Sequence, residues 1–130
     1  MQWVGRAELA SANPPPYEAY LNVVLASGVK ILEAAGNVPK EFILKAKAAG
    51  ANIMHKCTSV RHALSVERNG VDAVSIDGFE AAGHPGEDDV GGLVLFAAAA
   101  DKVKILLVAS GGIGQHRGRA RHCGGADAGR

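Results

Sequence analysis

Aromatic side chains are scarce in this sequence: one Trp, two Tyr and three Phe make up 5% of its 130 residues. A core without large rings has to be filled by small aliphatic side chains packed at close range. Hydrophobic residues at 48%, together with 17 glycines, supply the material for that. Cysteine is equally sparse. Cys57 and Cys123 are too few and too far apart for a disulfide framework or a zinc site. Cys57, at a strand end, is expected to be a small buried hydrophobe. Charge of either sign is nearly balanced, and a formal net charge of +1 gives no steering toward nucleic acid or a membrane surface. No apolar run approaches the roughly 18 residues of a transmembrane helix. The opening MQWVGRAELASA has no basic start followed by an apolar stretch, so no signal peptide is read there. These absences lead to the expectation of one cytoplasmic domain with no membrane and no nucleic-acid partner.

What is present is a repeated unit. SGVKILEAAG, AGANIMHKCT and NGVDAVSIDG align by eye, and DKVKILLVAS is a looser fourth copy. Each joins a helix end to a turn, a short buried strand and a polar or small tip. The first helix is expected to turn Tyr17, Tyr20, Leu21 and Val24 inward and to close at Gly28. Pro39 opens a second helix with Phe42, Ile43 and Ala46 inward, ended by Gly50. Ser59 is the expected N-cap of a third, with Val60, Ala63 and Leu64 inward and Asn69-Gly70 as its stop. A fourth spans Gly92 to Ala100. The expected strands are Val29 to Leu32, Asn52 to His55, Asp72 to Ile76 and Ile105 to Ala109. Helices alternating with short apolar strands predict an α/β fold with a parallel sheet ordered along the chain.

A parallel sheet gathers strand tips that lie far apart in sequence. Here those tips carry Glu33 and Asn37, then Lys56 and Thr58, then Asp77 to His84, and finally Ser110-Gly111-Gly112. Polar residues at the C-terminal ends of parallel strands are where α/β enzymes place their chemistry. Each candidate also has a plainer reading. Lys56 is a cation at a tip or a solvated lysine, and Asp77 is a hydrogen-bond acceptor or an Asx turn with Gly78. Gly111 and Gly112 suit close approach of an anion to backbone N–H groups, or simply a strand-to-helix turn. His84, between Gly83 and Pro85-Gly86, is a presented ring or a surface-loop histidine without a task. Glu80 with Glu87, Asp88 and Asp89 could join His84 in an oxygen-rich metal site, but acids ahead of a helix more often serve its N-terminus, and no metal is expected. His55, His62, His116 and His122 show no partner spacing.

Three stretches carry a family resemblance: HKCTSVRHAL from His55, NGVDAVSIDGFEAAGHPGEDD from Asn69, and VASGGIG from Val108. Together, from Asn13 to Gly114, they resemble the flavin-dependent nitronate monooxygenases, formerly called nitropropane dioxygenases. The resemblance implies a TIM barrel with FMN at the C-terminal ends of its strands. It implies flavin contacts at Lys56, Asp77 and the backbone of Ala82 and Gly83, and a phosphate contact at Gly111 and Gly112. His84 is implied as the catalytic residue, orienting the nitro group or removing an α-proton. The implied reaction takes an alkyl nitronate and O2 to a carbonyl compound and nitrite. A flavin-dependent enoyl reductase on a related barrel is the alternative enzyme.

A closed barrel of this type has eight strands and about 250 residues, so four strands make roughly half of one. The expected division is an unmatched segment at residues 1–12, a partial barrel at 13–114, and a tail at 115–130. That tail has four arginines in sixteen residues and no apolar face, a composition that favours disorder. A truncated or frame-shifted product without catalysis would explain both ends. The isolated chain is expected to bind FMN poorly, to be inactive, and to self-associate through open sheet edges.

Overall fold

A computed structural model of the chain describes residues 16–83, 86 and 88–113. The expectations for segments 1–12 and 115–130, and for His84 and Glu87, fall outside the described residues. Within them, helices and strands alternate: α1 (Tyr17–Ala26), β1 (Ile31–Ala35), α2 (Lys40–Ala48), β2 (Asn52–Cys57), α3 (Val60–Arg68), β3 (Ala73–Asp77), α4 (Gly92–Ala100) and β4 (Leu106–Ser110). The strands form one sheet in the order β1-β2-β3-β4, and every pairing is parallel. This is the expected α/β architecture of consecutive barrel units.

Local signals account for most of the elements. Ser59, extended at φ −148°, accepts a hydrogen bond from the His62 N–H and so caps α3. Gly70 at φ +92° lets the chain leave α3 and turn into β3. α4 matches its expected span residue for residue. All four strands, however, run further along the chain than their apolar runs imply, β2 ending at Cys57 instead of His55. β1 starts at Ile31 and reaches Ala35, and β3 and β4 are each displaced by one residue toward their polar tips. The ladder, and not hydrophobicity, sets these ends: Ala35 pairs with Lys56, and Asp77 with Ser110. Asp72 stands just ahead of β3, its N–H donating to the Ile53 carbonyl and its carboxylate accepting from the Ile53 N–H at 2.8 Å and from Lys47 Nζ at 2.7 Å. Burial raises the Asp72 pKa, but those two hydrogen bonds and the Lys47 charge outweigh it and hold the carboxyl below its ordinary value.

α1 is rotated from expectation. Leu21 is 2% exposed and Leu25 packs on the core, whereas Tyr20 is 57% exposed. A spacing rule finds an apolar stripe, but here the stripe is broad and α2 decides which part of it is covered.

Register divides the strand residues between two faces. Leu32 and Ala34, then Ile53 and Cys57, Val74 and Ile76, and Leu107 and Ala109 all belong to one apolar cluster with Ile43, Ala46, Ala63, Val66, Leu95, Phe96 and Ala99 from the helices. The alternate positions lie on the other face, in rows Glu33, Met54, Ala73, Leu106 and Ala35, Lys56, Ser75, Val108. None of these joins the core cluster. On that face Ile31 and Leu106 are 67% and 68% exposed. The helices therefore cover one side of the sheet, as they do outside a barrel; among the described residues no helix lies on the other side, where Ala73 and Ser75 are nonetheless buried. Among the described residues no helix is long and apolar enough to cross a membrane.

Candidate functional site

The carboxyl edge of the sheet collects the expected tips. Lys56 projects from the side of β2 away from the helices. Its Nζ lies 3.5 Å from Asp77 Oδ2 and 3.8 Å from Glu33 Oε1, so one cation bridges carboxylates from β1 and β3. Asp77 is buried, while Lys56 and Glu33 are partly open to solvent. The second oxygen of Asp77, Oδ1, is buried without a hydrogen-bond partner. A buried acceptor left unmatched costs about 1–3 kcal/mol, so such an atom is a natural seat for an incoming donor. An Asx turn at Asp77 does not form, since the Phe79 N–H donates to the Val90 carbonyl, and Lys56 is both paired and partly solvated.

The loops beyond β3 and β4 interlock. The Gly78 N–H donates to the Ser110 carbonyl at 3.1 Å, and the Ala81 N–H to the Gly78 carbonyl at 3.0 Å. Gly111 and Gly112 have φ of +79° and +72°. A Cβ on Gly111 would stand 2.9 Å from the Ala81 side chain, and one on Gly112 would stand 2.8 Å from Glu80 Cβ. Both conformation and space thus require glycine here, before any ligand is considered. Glu80 Oε2 accepts from the Gly92 N–H at 2.9 Å, serving the N-terminus of α4. That is the helix-terminus role weighed for these acids, and it favours a carboxylate at the positive end of the helix.

Ala82 and Gly83 are exposed at the start of the loop that carries His84, and Gly83 has φ +86°. His84 itself lies outside the described residues. Gly86 lies close to the site: a Cβ there would be 2.5 Å from Thr58 Cβ, so this glycine is seated directly beyond the tip of β2. The structure accordingly brings Lys56, Asp77, Gly111 and Gly112 to one edge together with Glu33, another of the expected tips.

A second cluster was not legible in the sequence. His55 and Cys57 lie on the helix-covered side of β2, and His62 stands one turn into α3. The three ligand atoms fall within 4.8 Å of one another. The two rings meet edge to face with centroids 5.1 Å apart. His55 Nδ1 donates to the Lys56 carbonyl at 2.9 Å and is 3.6 Å from Cys57 Sγ. Burial pushes both imidazoles below their ordinary pKa, and His62 adds to that effect at His55, against the Lys56 and Gly36 backbone. Burial, with the Asp77 charge, pushes the Cys57 thiol up to about 12, as befits the buried hydrophobe expected from sequence. The signal was there in outline: positions two apart on a strand share a face, and a helix starting directly after the strand returns to that face.

Comparison with known proteins places these features. A sequence model of the nitronate monooxygenase family matches residues 2–129. A probable nitronate monooxygenase of Bacillus subtilis (strain 168) is 33% identical over 106 residues, covering 75% of this chain and 30% of that protein. FabK from Thermotoga maritima superposes with a TM-score of 0.78 at 30% identity, over 85% of this chain and 35% of that one. The nitroalkane oxidase of Streptomyces ansochromogenes gives a TM-score of 0.73 at 32% identity, over 84% and 34%. The chain thus spans about a third of the length of the relatives it matches. A parallel half barrel whose tips gather a bridging lysine, a buried carboxylate and paired glycines fits that match in sequence and in shape, and the chain belongs to the nitronate monooxygenase family of oxidoreductases.

Proposed function

We propose that these strand tips form part of an FMN site at which an alkyl nitronate is oxidised with O2 to a carbonyl compound and nitrite. The observation that carries this reading is the Lys56–Asp77 pair with the unmatched Asp77 Oδ1 beside it. A cofactor edge offering an N–H or hydroxyl would satisfy that oxygen, and Lys56 would supply positive charge to an electron-accepting ring. Glu33 offsets part of the lysine charge and fixes its direction. The Gly111 and Gly112 backbone is left-handed, which suits an anion, so the residues present fit the group. When bound, the flavin supplies the electron transfer from the nitronate and the reaction with O2.

His84 provides the residue-based chemistry. A neutral imidazole can remove the α-proton of a nitroalkane, and a protonated one can orient the nitronate oxygens. Gly86, two residues further along the chain, lies against Thr58 beyond the β2 tip.

The test grafts residues 16–113 in place of the matching third of the Bacillus subtilis relative. Flavin absorbance and nitrite release from an alkyl nitronate are the expected outcomes. Within the graft, His84→Asn should leave flavin bound and slow a neutral nitroalkane by roughly 10²–10⁴-fold. Bound flavin with NADH oxidation and no nitrite would favour the enoyl-reductase reading instead. A graft that folds without flavin removes the site assignment.

The chain by itself is a separate matter. Absence of even two or three charge-assisted hydrogen bonds, at roughly 1.5–3 kcal/mol each, weakens cofactor affinity by several orders of magnitude. The isolated chain is therefore expected to be nearly colourless, inactive and self-associating. A yellow, monomeric, nitrite-releasing preparation would overturn that expectation.

A further inference from the structure

The nitronate chemistry makes no use of the cluster on the other side of β2. We propose that His55, Cys57 and His62 form a binding site for a thiophilic divalent cation of the zinc class, carried wholly by the β2–α3 connection. The ligand set is two imidazoles and one thiol, the combination that selects zinc-class ions over magnesium or calcium. Zinc holds nitrogen at about 2.0–2.1 Å and sulfur at about 2.3 Å, which at a tetrahedral angle separates the two ligands by about 3.5 Å. Cys57 Sγ and His55 Nδ1 stand 3.6 Å apart, and on binding Nδ1 would exchange its hydrogen bond to the Lys56 carbonyl for the ion. His62, on the first turn of α3, brings the third ligand atom within 4.8 Å of both.

The surroundings suit a cation as well. His55 and Cys57 are each 1% exposed, so two of the ligands are held by the packed sheet and need no ordering on binding. With Nδ1 on the ion the ring proton sits on Nε2, and a metal-bound imidazole characteristically gives its remaining N–H to a backbone acceptor such as Gly36 offers this ring. The thiol is protonated in the free protein, and a coordinating cation deprotonates it outright and releases one proton to solvent. His62 is half-buried, leaving a side from which the ion and a fourth, solvent-derived ligand can enter. The bound ion would staple the tip of β2 to the start of α3, directly behind Lys56. Because all three ligands lie within eight consecutive residues, the site needs no other barrel strand and is independent of flavin binding.

The test uses the whole 130-residue chain with Cys123→Ser, which leaves Cys57 as its single thiol. Cobalt chloride is the probe and zinc chloride the competitor. One Co2+ per chain should give a thiolate-to-metal charge-transfer band, which His116 and His122 cannot produce, and zinc should abolish it. Zinc should also raise the thermal midpoint followed by circular dichroism, with release of one proton per ion. His62→Ala, which leaves the strand intact, should weaken cobalt binding by at least about 100-fold, beyond the roughly 10–100-fold expected for loss of an outer-shell partner. Cys57→Ser should remove the band. The proposal is overturned if neither a thiolate band nor a metal-dependent gain in helical signal or midpoint appears. A band that persists unchanged in strong denaturant, or in His62→Ala, overturns it equally, since binding would then owe nothing to the folded cluster.

Discussion

Large aliphatic side chains occur on both faces of this sheet and end in different environments. The helix-covered face holds Ile53, Val74 and Ile76 at 0% exposure, interlocked with Ile43, Ala46, Ala63 and Ala99. On the other face, Ile31, Leu106 and Val108 remain exposed at 67%, 68% and 38%. The second face also carries Glu33, Lys56 and Ser75, and of its residues the small Ala73 and Ser75 are buried while the large aliphatic ones are not. Hydrophobic stabilisation depends on area removed from water, so an isoleucine in β2 and one in β1 contribute very differently. Chemistry divides the same way. The second face ends in the Lys56, Asp77 and Glu33 cluster, and the covered face carries His55, Cys57 and His62.

The largest expected contrast comes from the core. Ile53→Ala should cost about 2–5 kcal/mol by denaturant unfolding, the range for truncating a buried aliphatic side chain. If the loss were under about 1 kcal/mol, the covered face would not be the stabilising one.

Acid should act through the covered face next. The folded state keeps His55 and His62 neutral, below their ordinary value of 6.5, while the unfolded chain protonates at that value. Their contribution is complete above pH 6.5 and is lost as the pH falls below it toward the lowered folded values. Thermal midpoints should therefore drop between about pH 7 and about pH 5, and His62→Gln should flatten that slope. An unchanged slope would mean that the two rings are not held neutral.

Ser59→Ala removes the cap of α3 and should cost about 1 kcal/mol. Because the cap sits at the junction of both faces, thermal unfolding of this variant also shows whether α3 frays independently of the sheet.

The smallest effect is expected on the face away from the helices. Leu106→Lys should change the free energy of unfolding by no more than about 0.5 kcal/mol. The same change should shift sedimentation velocity toward monomer, because it places a charge on an exposed apolar edge strand. A loss as large as that for Ile53→Ala would erase the distinction between the faces.

Sequence alone determined the order and type of the elements, the parallel sheet and the identity of its tips. Those features are local: an apolar run, a cap at Ser59, a glycine stop at Gly70, and the right-handed connection that makes sequential strands neighbours. Tertiary structure decided what local spacing does not contain. It chose Leu21 over Tyr20 as the buried part of α1, because α2 covers only part of a broad stripe. It carried all four strands past their apolar runs, because ladder pairing continues as far as a neighbour does. It set Lys56 between Glu33 and Asp77 and left Asp77 Oδ1 unmatched. It also turned His55, Cys57 and His62 toward one point. Periodicity tells which side of an element a residue faces, whereas the distance between residues on different elements is fixed only when those elements pack.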